Sequence, residues 1–445
     1  MTKVTLFGTD GVRGVANKDL TPELAYRLGR AGADVLAKAT TRPTIAVGRD
    51  TRISGDMLQA ALTAGLCSVG AKVINLGILP TPALAYLTKA LAATAGVMIS
   101  ASHNHYSDNG IKFFAGNGYK LPDALELEIE KLVLAEADNL PRPTADRIGQ
   151  VTDQIEAIEL YLDSLHRTVN NAAGIKVVVD CANGAASSVA PRLLESLGLQ
   201  VYPIFNMPDG VNINAGCGST HPEALCHAVV EKGADLGLAF DGDADRVLAV
   251  DANGNLVDGD QILVAYALDL QQHQKLAGNT VVVTVMSNLG LFQALEKAGI
   301  KAKKTKVGDR YVLEEMLHSK AVLGGEQSGH IISLEHNTTG DGLLTGLQLI
   351  RIMASSSRSL AELAAQMTKF PQVLVNVPVK DKTKALSDPE LMAALARAEQ
   401  ILGSQGRLLV RPSGTESLLR IMAEGPDQAQ LERLVGGIAE AAKRL

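Results

Sequence analysis

The chain has 445 residues, 46% hydrophobic and 20% charged, which excludes a disordered polypeptide and calls for several domains of ~100–150 residues each. Its formal net charge of -6 excludes a general nucleic-acid binder, yet local Arg and Lys clusters could still hold a phosphorylated substrate. Aromatic residues are only 3% and Trp is absent, so the cores must rest on Leu, Val, Ile and Ala.

From the N-terminus, MTKVTLFGTDG has no apolar run of signal-peptide length. No later stretch approaches ~18 uncharged apolar residues, so a cytoplasmic enzyme is expected. Strands are predicted at 44–47, 72–76 and 95–99, with a helix at 56–69 between the first two. The alternation recurs with strands at 175–180, 201–205 and 236–240, and again at 281–285 and 321–324. Such repetition predicts an α/β protein with mostly parallel sheets. Runs such as KVVVD and NTVVVTV suit strands covered on both faces. Candidate linkers at 139–149, 251–260 and 369–373 divide the chain into domains at 1–150, 151–255, 256–369 and 370–445. The last has strands near 373–379, 407–410 and 418–423 and a final helix, which reads as a smaller α+β domain. The cysteines Cys67, Cys181, Cys217 and Cys226 show no CxxC spacing and read as buried or free thiols.

The chemistry-bearing motifs follow the same order. FGTDGVRG sets Arg13 in a tight turn, and GRDTRIS places Arg49 and Arg52 after a strand. In 96–114, GVMISASHNHYSDNGIKFF, an apolar strand runs into a polar loop holding Ser102, where ligand chemistry sits in open α/β sheets. A plain Ser/Asn-rich turn is the alternative. No GxSxG elbow accompanies Ser102, which speaks against acyl transfer.

DGDADR at 241–246 ends the strand LGLAF, and its carboxylates at positions one, three and five can converge on a hard cation. A solvated acidic turn is the competing reading. An EF-hand fits poorly, because Arg246 and Ala252 stand where that loop needs Gly and Glu. GGEQSGH at 324–330 offers a carboxylate and a hydroxyl to sugar hydroxyls, or is a structural glycine turn. RPSGTESLLR at 411–420 resembles an anion cradle of Arg411, a Ser-Gly-Thr turn and Arg420, or is an ordinary turn between strands. There is no GxxxxGK[ST] and no HExxH, which removes P-loop ATP chemistry and zinc. A lone serine, a cation site and arginine clusters on separate blocks together specify phosphoryl transfer through a phosphoenzyme, in a cleft where domains meet.

SASHN, DGDADR, GEQSGH and RPSGTE, in this order, resemble the four signatures of the α-D-phosphohexomutase family along essentially the whole chain. FGTDGVRG and VGDRYV make the bacterial branch acting on glucosamine phosphates the most similar. The resemblance implies three related α/β domains and a C-terminal domain around a central cleft. It also implies interconversion of glucosamine 6-phosphate and glucosamine 1-phosphate, towards UDP-N-acetylglucosamine and the cell wall. By the same resemblance, Ser102 is the phosphoserine, and it joins Asp241, Asp243 and Asp245 in holding Mg²⁺. Glu326 and Ser328 bind sugar hydroxyls, and Arg411, Ser413, Gly414, Thr415 and Arg420 hold the resting phosphate. Arg13, Lys112 and Arg246 stabilise charge near the phosphoserine, and Lys112 or His330 assists proton transfer. Two partner expectations come with it, a homodimer and a membrane diadenylate cyclase, besides the phosphosugar. The sequence departs from the family pattern at His105 (usually Pro), Ala244 (usually Gly) and Ser417 (often Pro). The alternatives are a glucose or mannose phosphate mutase with the same mechanism, and a phosphatase using an aspartyl phosphate. DGDADR lacks the DxDx[TV] pattern of the latter.

Overall fold

Three times along the chain the same elements recur: strand, helix, strand, helix, then a strand that turns back on a fourth. They were found in a computed structural model that describes residues 6–8, 10–36, 40, 42–169, 172–412 and 418–444. The first repeat has strands Thr44–Arg49, Lys72–Ile78, Ala95–Ile99 and Asp108–Ala115. The second has Lys176–Asp180, Gln200–Ile204, Leu236–Phe240 and Val247–Asp251, and the third Thr280–Thr284, Lys301–Thr305, Leu323–Gly325 and Ile331–Ser333. In all three sheets the order across the sheet is fourth, third, first, second. The first and third strands pair in parallel and the third and fourth antiparallel.

The expected α/β class is borne out, and so is the reason for it. Ala95–Ile99, Leu236–Phe240 and Thr280–Thr284 are buried at every residue, as strands between two helical layers must be. The first sheet gains Val12–Val15 and Val151–Asp153 at its edges, and the second gains Leu256–Val257. That last strand lies inside the segment read as a linker at 251–260. It pairs with Ala249 and Val250, and Asp258 then starts the helix Gly259–Gln272 with a capping box to Gln261.

The chain divides into two compact units, Met1–Val285 with Lys303–Ala364, and Met286–Ala302 with Ala365–Leu445. The second carries an antiparallel sheet ordered Gln372–Pro378, Leu418–Glu424, Arg407–Pro412, with Leu391, Leu419, Ile421 and Leu431 in its core. It also takes in the helix Leu289–Lys297, which belongs by sequence order to the third repeat. Asn288 accepts from Gly290 N (3.0 Å) to cap that helix and donates to Phe370 O (2.9 Å). No helix among the described residues is long and apolar enough to cross a membrane.

Candidate active site

The three repeats place their chemistry at the same point: the loop of the hairpin between third and fourth strands. These loops are 100–107, 241–246 and 326–330, and all belong to the first unit. Each is sequence-local, so the polar residues leave a buried strand together.

In the first loop Ser102 is buried with a φ of 51°, a left-handed conformation that costs a non-glycine residue about 1–2 kcal/mol. The surroundings impose it. Ser100 Oγ accepts from Ser102 N (3.0 Å) and donates to Asp50 (2.7 Å). Arg52, itself bonded to Asp50 (2.9 Å), donates to the carbonyls of Ser102 (2.9 Å), Asn104 (2.8 Å) and His105 (2.5 Å). Asn214, from the second repeat, also donates to the Ser102 carbonyl (2.9 Å). Arg52 thus holds the loop's backbone, with its guanidinium turned away from any substrate role. Arg49 pairs instead with Asp56 (2.5 Å).

The Ser102 hydroxyl donates to Asp241 Oδ2 at 2.5 Å, so serine and acidic triad form one site. Asp241, Asp243 and Asp245 are all buried, with one oxygen of each lying within 4.8 Å of the others. Asp243 Oδ1 and Asp245 Oδ1 are buried and receive no hydrogen bond among the described residues. Burial and the charges of Asp245 and Asp243 push Asp241 well above the ordinary carboxylate range. Crowded carboxylates with donor-free oxygens are the arrangement a hard cation resolves, and the cluster is able to hold a metal ion.

Positive groups brace the triad from outside. Asp243 Oδ2 accepts from Lys112 (2.8 Å) and Thr81 (2.7 Å), and Lys112 also pairs with Asp10 (3.0 Å). Burial works against the Lys112 charge, but Asp10 and Asp243 outweigh it and hold its pKa above the ordinary lysine range. Lys112 thus lies between two carboxylates beside the serine loop. Burial alone would raise Asp245, but His330, Lys112 and Arg246 draw it well below its usual range. His330 Nδ1 lies 3.5 Å from Asp245, and its Nε2 accepts from Gly340 N (3.2 Å).

Asp10, His103 and Asp309, from the motifs FGTDGVRG, SASHN and VGDRYV, complete this network together with Lys120, which lies in no motif. Asp10 pairs with both Arg13 and Lys120, and Lys120 reaches on to Asp309. His103 Nδ1 stands 3.3 Å from Ser102 Oγ. Burial, Arg246 and Arg13 push its pKa down to about 4, so it is a neutral imidazole beside the serine at pH 7.

In the third loop, Glu326 accepts from Gly308 N (3.0 Å), while Ser328 is exposed. Gly329 has a φ of 89°, and a Cβ there would meet Val247 O at 2.2 Å, so only glycine lets the second and third loops approach. In the second unit, Arg411 and Arg420 sit directly opposite each other on neighbouring antiparallel strands. Burial and Arg420 lower the Arg411 pKa, a like-charge opposition that an anion relieves. Ser413, Gly414 and Thr415 lie outside the described residues.

Family models for phosphoglucomutase/phosphomannomutase match four parts of the chain. These are alpha/beta/alpha domain I at residues 4–140, domain II at 159–254, domain III at 258–370 and the C-terminal domain at 374–441. The chain is 61% identical over 436 residues to a phosphoglucosamine mutase of Desulforamulus reducens, covering 98% of each. It is 60% identical over 441 residues to one of Moorella thermoacetica, covering 99% of each. Among solved structures it is similar to a phosphoglucomutase/phosphomannomutase family protein from Burkholderia thailandensis. There the TM-score is 0.84 at 24% identity, with 99% of this chain and 98% of that one covered.

Proposed function

The chain belongs to the phosphoglucomutase/phosphomannomutase family, and on that premise we propose that it is an isomerase interconverting glucosamine 6-phosphate and glucosamine 1-phosphate. The observation that carries the mechanism is the Ser102 hydroxyl bonded to Asp241 inside a triad of metal-competent carboxylates. The choice of amino sugar rests on the relatives at about 60% identity over the full chain.

In the proposed cycle phospho-Ser102 gives its phosphoryl group to the sugar's 1-hydroxyl. The P–Oγ bond breaks, a P–O bond to the sugar forms, and the hydroxyl proton ends on Ser102 Oγ. The resulting 1,6-bisphosphate turns round, and its 6-phosphate returns to Ser102. When bound at Asp241, Asp243 and Asp245, Mg²⁺ supplies positive charge to the phosphoryl oxygens. Arg13, Arg246 and Lys112 add to that field, so the transferring group meets charge already in place. His330, braced by Asp245, is assigned to move the proton. Glu326 and Ser328 are assigned to sugar hydroxyls and Arg411, Ser413, Gly414, Thr415 and Arg420 to the phosphate that does not react.

Turnover of glucosamine 6-phosphate, glucose 1-phosphate and mannose 6-phosphate on one enzyme preparation tests the substrate. The amino sugar should give the highest kcat/KM, and a preference for either neutral hexose phosphate contradicts the assignment. The homodimer and the diadenylate cyclase partner belong to this reading too. Sedimentation of the chain alone and with the cyclase domain tests both, and a monomer in each case removes them.

A further inference from the structure

Ser102 is held at both ends of its backbone. Its N–H donates to Ser100 Oγ (3.0 Å), and its carbonyl accepts from Arg52 and from Asn214 Nδ2, each at 2.9 Å. With both peptide groups fixed, the hydroxyl keeps only its staggered side-chain rotamers. The two carbonyl donors act differently. Arg52 comes from the first repeat, as the serine does, and holds the loop's shape within that repeat. Asn214 comes from the second repeat, which also carries Asp241, Asp243 and Asp245.

The asparagine is built into this junction. It is 9% exposed, and its N–H donates to Ala182 O (2.9 Å). Its φ is 57°, a left-handed backbone that asparagine adopts more readily than most residues. From there the amide donates to the carbonyls of both Ser102 (2.9 Å) and Asn104 (3.1 Å). It also lies against Gly242 of the metal loop, where a Cβ would meet Asn214 Nδ2 at 2.8 Å and Ser102 O at 2.5 Å. One amide thus touches the serine loop and the metal loop together.

Among the described residues, two groups hydrogen-bond the serine loop to the second repeat: this amide, and the Ser102 hydroxyl on Asp241. Thr81 and Lys112 also reach across from the first repeat, but they end on Asp243. The hydroxyl bond cannot last through the proposed cycle. In phospho-Ser102 the Oγ is an ester oxygen with no proton, so it and Asp241 are both acceptors. The Asn214 bonds use carbonyls that the reaction leaves unchanged.

We propose that Asn214 is a positioning residue for the phosphoryl carrier, an assignment that rests on the proposed cycle. Its amide keeps Ser102 in register with the metal loop while the serine is esterified. Both amide hydrogens are committed to backbone carbonyls, so it acts through Ser102 and not on the substrate.

Two substitutions remove the donor by different routes. Asn214→Gly keeps the left-handed backbone without strain, and Asn214→Asp keeps the shape but offers the carbonyls no N–H. Wild type and both variants are loaded with radiolabelled glucosamine 1,6-bisphosphate, freed of excess, and mixed with glucosamine 6-phosphate. Rapid quenching then reads the passage of label from Ser102 to sugar, beside steady-state kinetics and urea midpoints. The expected result is transfer per labelled molecule slower by about 10- to 100-fold in both variants, because small misplacements of a reacting group cost rate steeply. The fall should appear in kcat, with KM within about twofold of wild type. A purely structural role would lower the urea midpoint and the labelled fraction and leave the rate per labelled molecule unchanged. That outcome, or wild-type transfer in either variant, overturns the proposal. A wild type that takes no label on Ser102 contradicts the cycle itself, whereas a labelled wild type matched by equally fast variants removes only the role of Asn214.

Discussion

Asp180 illustrates how a residue outside the reaction sets the conditions for it. It ends the strand Lys176–Asp180 and accepts from the backbone N–H groups of Ala182 (2.8 Å) and Gly218 (2.7 Å), with no ion pair among the described residues. Burial therefore wins, raising its pKa from 3.8 to about 6. A carboxyl raised on folding stabilises the protein below the unfolded value and loses that contribution as pH rises towards 6. The loss over that window is about 3 kcal/mol, taking about two units at 1.36 kcal/mol each. Asp180→Asn should flatten the stability profile between pH 4 and 6, measured by denaturant midpoints, whatever its effect at a single pH. A slope unchanged from the wild type would contradict the assignment. At this scale the sequence is legible where ligands are neighbours. DGDADR shows three carboxylates within five residues, and Ser102 follows its strand directly. Asp10, Lys120 and Asp309 meet across more than a hundred residues, so no spacing announces them.

Hairpin loops are where sequence departures become strain. Ala244, which departs from the glycine of the family signature it resembles, adopts a φ of 55° in the metal loop. A left-handed alanine costs about 1–2 kcal/mol, whereas its buried methyl contributes about 0.8 kcal/mol. Ala244→Gly should thus raise the denaturant midpoint by an amount worth up to about 1 kcal/mol and keep mutase turnover. A lower midpoint would show that the methyl's packing wins. His105, in place of proline, does not leave the serine loop loose: its carbonyl accepts from Arg52, and its ring packs on Tyr106 at 4.3 Å. Ser417 lies outside the described residues. Between elements, Lys120 joins the first repeat to the third by lying between Asp10 and Asp309. Lys120→Met removes the lysine partner of Asp309, while Asp10 keeps Arg13 and Lys112, and should cost about 1–3 kcal/mol in urea titration. A loss below 1 kcal/mol would reduce the pair to a surface contact. Strand positions were largely legible because apolar runs ended in polar turns, as in Ala95–Ile99 and Leu236–Phe240. The two-residue strand Leu256–Val257 was not, since DANGNLVDGD carries the composition of a linker.

Across the whole molecule, three copies of one topology each present a loop from the same hairpin, and a fourth, antiparallel sheet carries a pair of opposed arginines. Repetition of strand and helix made the class readable from the chain. The identical strand order of the repeats was not readable, because their sequences share only the hydrophobic alternation and not the loop chemistry. Nor was the grouping of helix Leu289–Lys297 with the C-terminal residues, which depends on contacts such as Leu289 N donating to Glu424 (3.2 Å). In the proposed function one residue, Ser102, carries the phosphoryl group and the others hold charge or substrate. Intact-mass and peptide mapping after incubation with glucosamine 1,6-bisphosphate, in the wild type and in Ser102→Ala, tests that most directly. The account predicts one phosphate on Ser102 in the wild type, and in Ser102→Ala no phosphate and a turnover of glucosamine 6-phosphate lower by about 10³-fold or more. Phosphate on Asp241 or Asp243, or undiminished turnover without Ser102, would contradict it.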